Sequence, residues 1–493
     1  MSSQVTGKNI DTGRTAQPDP RRWKALALLC AAFAMVIVDS SIVLVALPSI
    51  GADLAMSAGD LPWVMSAYLL SFGGLLLLGG RAADVLGRRR MFMVGTGLFA
   101  LASLGAGLSG TAGALIGARV VQGIAAAIMT PTALSILMTT FQEGSERNKA
   151  LGIWTGVAAS GATAAWLVGG PITDGLGWEW IFFINVPVAA GVVALSPVLL
   201  RDSRDDALER RFDVAGAATI TAALVALVYA VVEAPKVGWA DGQTLGLLAL
   251  AAVLIAVFVA IESRSAAPLA PLRVFRSRAL VGGNLTLFAL GMMAFGMPFI
   301  LTQYGQEVLH WSPVQFGLAF AVMPVGVAFA SAAGQAIATN GGLQPLAVAG
   351  MMLTGLGCLL LTQVSVGGTY FGDVFFGLLV FGPGLGASYV AGSIASLTGV
   401  AESEAGLASG LNNASFQIGG AVGVAILSTV AVSGAHGADP LAALTAGYQS
   451  AFAVAIAFAA LGLAVAIVLL GRRRRPAAVV ETEAEAAAAG SRS

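Results

Sequence analysis

The sequence predicts an all-α integral membrane protein that crosses the bilayer fourteen times. Three observations predict it. The chain of 493 residues is 57% hydrophobic and only 11% charged, where soluble domains carry about 25% charged residues. Its apolar residues fall in runs long enough to cross a membrane as helices, parted by short polar connections. Its basic residues alternate from one connection to the next, as they do when a chain threads back and forth.

Taken in order, the spans run Ala25–Leu47, Leu61–Gly79, Met91–Ser109, Ala114–Met138, Ala150–Pro171 and Ile181–Leu200. Two follow in the middle, Val214–Val232 and Leu245–Ile261. The last six are Leu280–Thr302, Val314–Ala338, Leu346–Leu361, Tyr370–Ser393, Gly406–Val432 and Tyr448–Leu470. Most are followed within a few residues by Gly, Pro, Asn or Asp, the residues that turns require. Residues 1–22 are polar, so no secretory signal is expected and the first span acts as its own insertion signal.

Charge orients the map. With both termini inside, the inner segments hold Lys8, Arg14, Arg21, Arg22 and Lys24, then Arg81, Arg88–Arg90, Arg147 and Lys149. They continue with Arg201, Arg204, Arg210, Arg211, Arg264, Arg273, Arg276, Arg278, Arg472–Arg475 and Arg492. The outer connections hold Lys236 alone, and Arg119 lies within a span. Two inner connections, Thr339–Pro345 and Thr398–Ser403, carry no basic residue and follow their neighbours. Trp63, Trp178, Trp180, Trp239 and Trp311 fall at outer ends, where an aromatic belt forms. The expected location is a bacterial inner membrane, multi-pass, with both termini cytoplasmic. The preference for Arg over Lys and the abundance of Ala and Gly suggest a GC-rich genome.

The stretch Gly80-Arg-Ala-Ala-Asp84-Val-Leu-Gly87-Arg88-Arg89-Arg90 lies between two long apolar runs. It is too short for a domain and reads as a tight turn at a membrane face, with glycines for the turn and Asp84 free to cap a helix or pair with an arginine. Gly334 and Gly341 follow the tenth span at the same spacing, with Ala338 in the place of Asp84. This echo divides the chain into an N-terminal tail (1–24), a six-helix bundle (25–200), an inserted pair (201–279), a second six-helix bundle (280–471) and a C-terminal tail (472–493).

This Gly/Asp/Gly-Arg-Arg loop resembles the motif between the second and third helices of the major facilitator superfamily, where it latches the two bundles on the cytoplasmic side. Val38-Asp39 through Ala46-Leu47-Pro48 resembles the first-helix motif of the fourteen-helix drug:proton antiporters in that superfamily. So do the connection Glu262, Pro268-Leu269, Pro271-Leu272, Phe275-Arg276 and the stretch Gly406 to Asn412-Asn413 and Gln417-Ile-Gly419-Gly420. Arg119-Val-Val-Gln122-Gly123 resembles the fourth-helix motif. The resemblance covers nearly the whole chain except the tails. It implies a major facilitator fold and an actinobacterial-type exporter of drugs or antibiotics.

Asp39 is expensive inside a membrane, about 2.5–3.5 kcal/mol on insertion scales, and needs a partner, water or a proton. Arg119 is the natural partner. Asp39 lies roughly 12 Å from the outer end of its span and Arg119 roughly 9 Å from the end of its own, at ~1.5 Å per residue. The pair is read as the proton-coupling site or as a static ion pair. The fifth span keeps Gly152, Gly156, Gly161, Gly169, Gly170 and Pro171, a small-residue face suited to close packing. The resemblance implies a Gly-Pro pair upstream of Gly169, and this chain has Ala165-Trp166 there. Trp166 either lines the substrate path or fills core space. Glu179 and Phe416 stand where the family usually has arginine.

The second bundle is rich in Phe and Met: Phe288, Met292, Met293, Phe295, Met297, Phe299, Phe316, Phe320, Met323, Phe375, Phe376 and Phe381. Asn284, Gln303, Gln306, Glu307, Asn412, Asn413 and Gln417 are its polar marks. Gln122, Trp166, Gln303, Asn412, Asn413 and Gln417 are the candidates for the substrate path, since apolar walls with scattered hydrogen-bonding groups suit bulky amphiphiles. Glu233 and Asp373 sit near span ends, where charge is cheap.

Enzymatic chemistry finds no support. There is no phosphate-binding Gly-rich loop ending in Lys-Ser/Thr, and no His/Cys/Asp cluster with metal or hydrolytic spacing. Cys30 and Cys358 lie in apolar runs, and His310 and His436 stand alone in short connections. No cofactor or metal is expected, and zero net charge implies no nucleic-acid partner. The expectation is a monomer in the lipid bilayer. It exports a small hydrophobic or cationic drug-like substrate against protons, with the proton gradient as its energy source. The alternatives are a metabolite exporter or uniporter with altered proton coupling, and a membrane sensor or scaffold that moves nothing.

Overall fold

Fourteen helices in the computed structural model are long and apolar enough to cross a membrane. They are α1 (Arg22–Asp53), α2 (Pro62–Leu86), α3 (Arg88–Gly107), α4 (Ala112–Thr140), α5 (Ser145–Leu176), α6 (Trp180–Leu199) and α7 (Val214–Ala234). The rest are α8 (Gly242–Arg264), α9 (Arg278–Val308), α10 (Pro313–Ala338), α11 (Leu343–Leu361), α12 (Tyr370–Leu397), α13 (Gly406–Gly434) and α14 (Pro440–Leu469). The structure describes residues 20–141, 144–201, 213–265, 268, 272–398, 400 and 405–471, and among them there is no strand. Of the sequence pattern, Lys8, Arg14, Arg204, Arg210, Arg211, Leu269, Pro271, Ser403, Arg472–Arg475 and Arg492 lie outside the described residues.

Helix starts follow from local chemistry. Thr111, Asp241, Ser277 and Asp439 each accept a hydrogen bond from a backbone N–H in the first turn of α4, α8, α9 and α14. Ser312 and Gln315 form a reciprocal capping box ahead of α10, with Pro313 at its first position. Prolines 48, 131, 171, 197, 298 and 383 all lie inside helices. α1 therefore runs past Pro48 to Asp53, beyond the apolar run that predicted it.

The pairing of helices repeats. α2 packs on α4, α3 on α4, α1 on α5, α3 on α6 and α1 on α6. The same pairs recur eight helices later as α10 on α12, α11 on α12, α9 on α13, α11 on α14 and α9 on α14. Glycines set the closest approaches. A Cβ on Gly79 of α2 would strike the Ala127 carbonyl of α4, and one on Gly291 of α9 would strike the Phe416 carbonyl of α13. Between the two sets lie α7 and α8. α7 packs against α2 and α13, whereas α8 rests mainly on α7.

Two sequence expectations are corrected here. The stretch from Gly80 to Arg90 is not an open loop. α2 continues to Leu86 and α3 begins at Arg88, so the turn is Gly87 alone, at φ +107. Helix formation does not require apolar residues, and charged side chains at a helix end simply project outward. Gly80 is helical and meets Pro131 only at ordinary contact distance, 3.5 Å, so it serves no turn. The echo also shifts by one residue. Gly342, at φ +88, occupies the turn before α11 as Gly87 does before α3, and Gly341 is still helical.

Candidate functional site

The polar centre of the first six helices forms around Asp39, which α1 carries into the interior at 0% exposure. Arg119 on α4, also 0% exposed, donates from Nη1 to Asp39 Oδ2 at 2.6 Å. Gln122, one turn further along α4, donates from Nε2 to Asp39 Oδ1 at 3.1 Å and to Ser103 Oγ of α3 at 2.8 Å. Asn185 near the start of α6 donates to the same Oδ1 at 2.9 Å. Arg119 is further fixed by donating from Nε to the Val64 carbonyl at 3.0 Å and from Nη1 to Gln122 Oε1 at 2.8 Å. Its guanidinium lies 4.2 Å from the centre of the Tyr68 ring.

Two unit charges removed from water are costly unless the surrounding hydrogen bonds are complete. Here Asp39 has three donors from two helices besides its own, so the carboxylate is well held. The cation is less complete, because Arg119 Nη2 and the nearby Tyr68 hydroxyl have no partner. The cluster is neutral as a whole, and any proton taken by Asp39 would leave it with a net positive charge. Gln122, a candidate for the substrate path, is held in this network by Asp39, Arg119 and Ser103. Nothing in the sequence marks Ser103 as a partner of this cluster, and for Asn185 the signal is an asparagine inside an apolar span.

The Gly/Asp/Arg motif sits where α2 meets α3, on what is termed here the loop side. Asp84 pairs with Arg88 at 2.9 Å across the Gly87 turn, and Arg89 donates to the Leu200 carbonyl at the end of α6. On the same side Arg22 of α1 and Glu146 of α5 form an ion pair at 2.8 Å. All five belt tryptophans lie toward the opposite, far side, at the ends of α2, α5, α6, α8 and α10 or beside them.

The two six-helix sets meet along two seams. One is α2 against α13, with Ser66 donating to the Ala421 carbonyl at 3.4 Å and Leu77 lying over Gly410 toward the loop side. The other is α5 against α10. On the far side it is tight: Gly170 abuts the Pro313 carbonyl, the Val314 N–H donates to Asp174 at 3.3 Å, and Trp166 lies on Phe320 with ring centres 4.0 Å apart. Gln306 adds a hydrogen bond to the Val45 carbonyl of α1 at 2.8 Å. Trp166 is therefore a plug in this contact, 3% exposed. Toward the loop side a Cβ on Gly152 or Gly156 would meet nothing, and Gly161 meets α1 only at ordinary distance. Of the glycines expected to form a packing face, Gly169 closely meets Ile42 of α1 and Gly170 meets Pro313 of α10, whereas Gly152 and Gly156 meet nothing.

In the second set the candidates are scattered. Asn412 ties α13 to Ser396 of α12 at 2.9 Å, Asn413 bonds its own helix, and Gln417 stands at the α2 seam opposite Gly73, its Oε1 unpartnered. Gln303 donates to Glu307 at 3.2 Å, and Tyr448 of α14 donates to the other Glu307 oxygen at 2.6 Å. Phe316, Phe320, Phe381, Met293 and Met297 are buried packing, and Phe376 is exposed. Phe416 joins Phe295 and Tyr389 in an aromatic trio, and Glu179 stands at the start of α6, where a helix favours negative charge. Among the described residues no three His, Cys, Asp or Glu side chains gather as a metal would need.

The chain matches the profile of the Major Facilitator Superfamily over residues 29–424 and 280–492. It is 36% identical to the puromycin resistance protein pur8 of Streptomyces alboniger, covering 89% of this chain and 88% of that one. It is also 36% identical to the cephamycin export protein CmcT of Amycolatopsis lactamdurans, over 90% and 91% of the two chains. The tetracenomycin C resistance and export protein of Streptomyces glaucescens is again 36% identical, over 84% and 76%. Among solved structures, the fold is similar to a bacterial homolog of the human lysosomal transporter Spinster, with TM-score 0.65, 16% identity and coverage of 93% and 100%.

Proposed function

Because this chain belongs to the Major Facilitator Superfamily and is related throughout to bacterial antibiotic exporters, we propose that it expels hydrophobic, drug-like molecules from the cell in exchange for protons. The loop side and both termini face the cytoplasm in this reading, as the distribution of arginine and lysine supports. Transport proceeds by alternating access, and the tight far-side end of the α5–α10 seam supports reading this arrangement as one closed to the outside.

The observation that carries the coupling is the fully buried Asp39–Arg119 pair. A proton on Asp39 cancels its attraction for Arg119 and leaves a cation among apolar side chains, which costs far more than the neutral pair. Proton binding therefore changes which arrangement of α1, α4 and α6 is favoured. Release on the cytoplasmic side restores the pair seen here. No cofactor is involved, and the proton gradient supplies the energy.

The test uses proteoliposomes and a pump-deficient bacterial host, with puromycin and ethidium as probes. The native chain is expected to lower probe accumulation, and a protonophore is expected to abolish the effect. Asp39→Asn is expected to uncouple drug movement from proton movement, while Asp39→Glu keeps part of it. Drug-driven proton flux unchanged in Asp39→Asn would sink the coupling role. A second reading, facilitated export without coupling, is favoured by Ala165-Trp166 in α5, and a drug flux indifferent to the protonophore would establish it.

A further inference from the structure

A half-buried acid stands apart from the Asp39 cluster. Glu307 lies in the last turn of α9, on a π-helical segment from Tyr304 to Val308. Such wide turns interrupt the regular helix and recur at functional sites. Tyr448 donates to Glu307 Oε2 at 2.6 Å, and Gln303 donates to Oε1 at 3.2 Å. Gln303 is itself 7% exposed, and its Oε1 has no partner. Unlike Asp39, Glu307 forms no ion pair among the described residues.

The neighbouring residue ties this acid to the seam between the bundles. Gln306, adjacent in the same turn, donates to the Val45 carbonyl of α1 at 2.8 Å and so helps to close the far side. Other titratable groups near this turn are accounted for. Tyr304 on the same turn donates to the Ser365 carbonyl. Asp373 at the head of α12 accepts from Ser365 and from the Thr369 N–H. Asp439 caps α14, and His310 and His436 lie exposed in the connections ahead of α10 and α14.

We propose that Glu307 is a second proton-binding site of this chain, one that holds the far-side seam closed when it carries a proton. This rests on the export reading for its orientation. The sign follows from solvation. An ionised carboxylate at a helix C-terminus, without a cation, is poorly served while half-buried and better served by water once the seam opens. The protonated form has a ready acceptor. An amide turn of Gln303 brings the unpartnered oxygen into reach of a Glu307 O–H, because the two ends of an amide are interchangeable in shape. Protons arriving from outside therefore favour the state closed to the outside, which is the direction an antiport cycle needs.

The experiment reads the gate directly. Spin labels at Ala52→Cys and His310→Cys span the far side, in full-length protein in lipid nanodiscs with Cys30 and Cys358 replaced by alanine. The fraction of molecules with a long label distance is followed as pH falls. In the parent this fraction is expected to fall on acidification. Glu307→Gln is expected to stay closed at every pH, Tyr448→Phe to shift the midpoint of the response, and Asp39→Asn to retain the part due to Glu307. A Glu307→Gln profile matching the parent overturns the proposal. If that variant does not fold, Tyr448→Phe decides, and an unmoved midpoint overturns it equally. Failure of Asp39→Asn to affect coupled transport would refute the coupling role of Asp39 and leave this gate titration standing.

Discussion

Asp39, fully buried, and Glu307, half-buried, are both acids set among membrane helices, yet they are housed in opposite ways. Asp39 sits in the middle of the first bundle with a cation, two amides and no exposure. Glu307 sits at the edge of the second bundle with a phenol and one amide, beside the contact between the bundles. The difference teaches what a membrane protein can do with a carboxylate. Surrounded by donors and a fixed charge, it is held in place by its partners. Left without a cation, it responds to whether water can reach it.

The comparison breaks most forcefully at the cation. Arg119→Ala strands the Asp39 carboxylate in an apolar core, and a loss of about 3–5 kcal/mol is expected, read as a drop in unfolding midpoint in detergent micelles. Adding Asp39→Asn to that variant is expected to restore most of the loss, since the stranded charge is then gone. Asn185→Ala removes one of the donors to Asp39 and is expected to cost about 1.5–3 kcal/mol, as for a hydrogen bond to a charged group. Tyr448→Phe sharpens the contrast, with about 1 kcal/mol expected for an ordinary hydrogen bond in a site without an ion pair. A cost equal to that of Arg119→Ala would show Glu307 to be as tightly charged as Asp39. At the bottom of the scale, Asp84→Asn breaks a partly exposed pair across the Gly87 turn and is expected to change stability by about 0.2–1 kcal/mol.

Much of this was legible before any coordinates. The number of helices followed from runs of apolar residues, and the meeting of Asp39 with Arg119 followed from depth, because helical rise is fixed and charges seek partners. What stayed hidden depends on helix rotation and on backbone irregularity. Ser103 and Asn185 join the Asp39 cluster only because α3 and α6 turn those faces inward. Tyr448 reaches Glu307 from the far end of the sequence, across a π turn that no apolar pattern announces. The stretch before Gly87 misled because polarity suggested a loop, whereas the backbone there needed only one residue with positive φ.

The inserted pair makes the molecule unequal in the plane of the membrane. Thr221 of α7 sits against Gly74 of α2, Thr429 of α13 donates to the Val231 carbonyl of α7 at 2.9 Å, and Tyr229 meets Trp63. α7 thus caulks one of the two grooves where the bundles meet, and α8 rests on it with most of its own surface exposed. The opposite groove, beside α5, has no such cover, since open space surrounds Gly152 and Gly156. The chain thus presents one covered flank and one uncovered flank to the surrounding lipid.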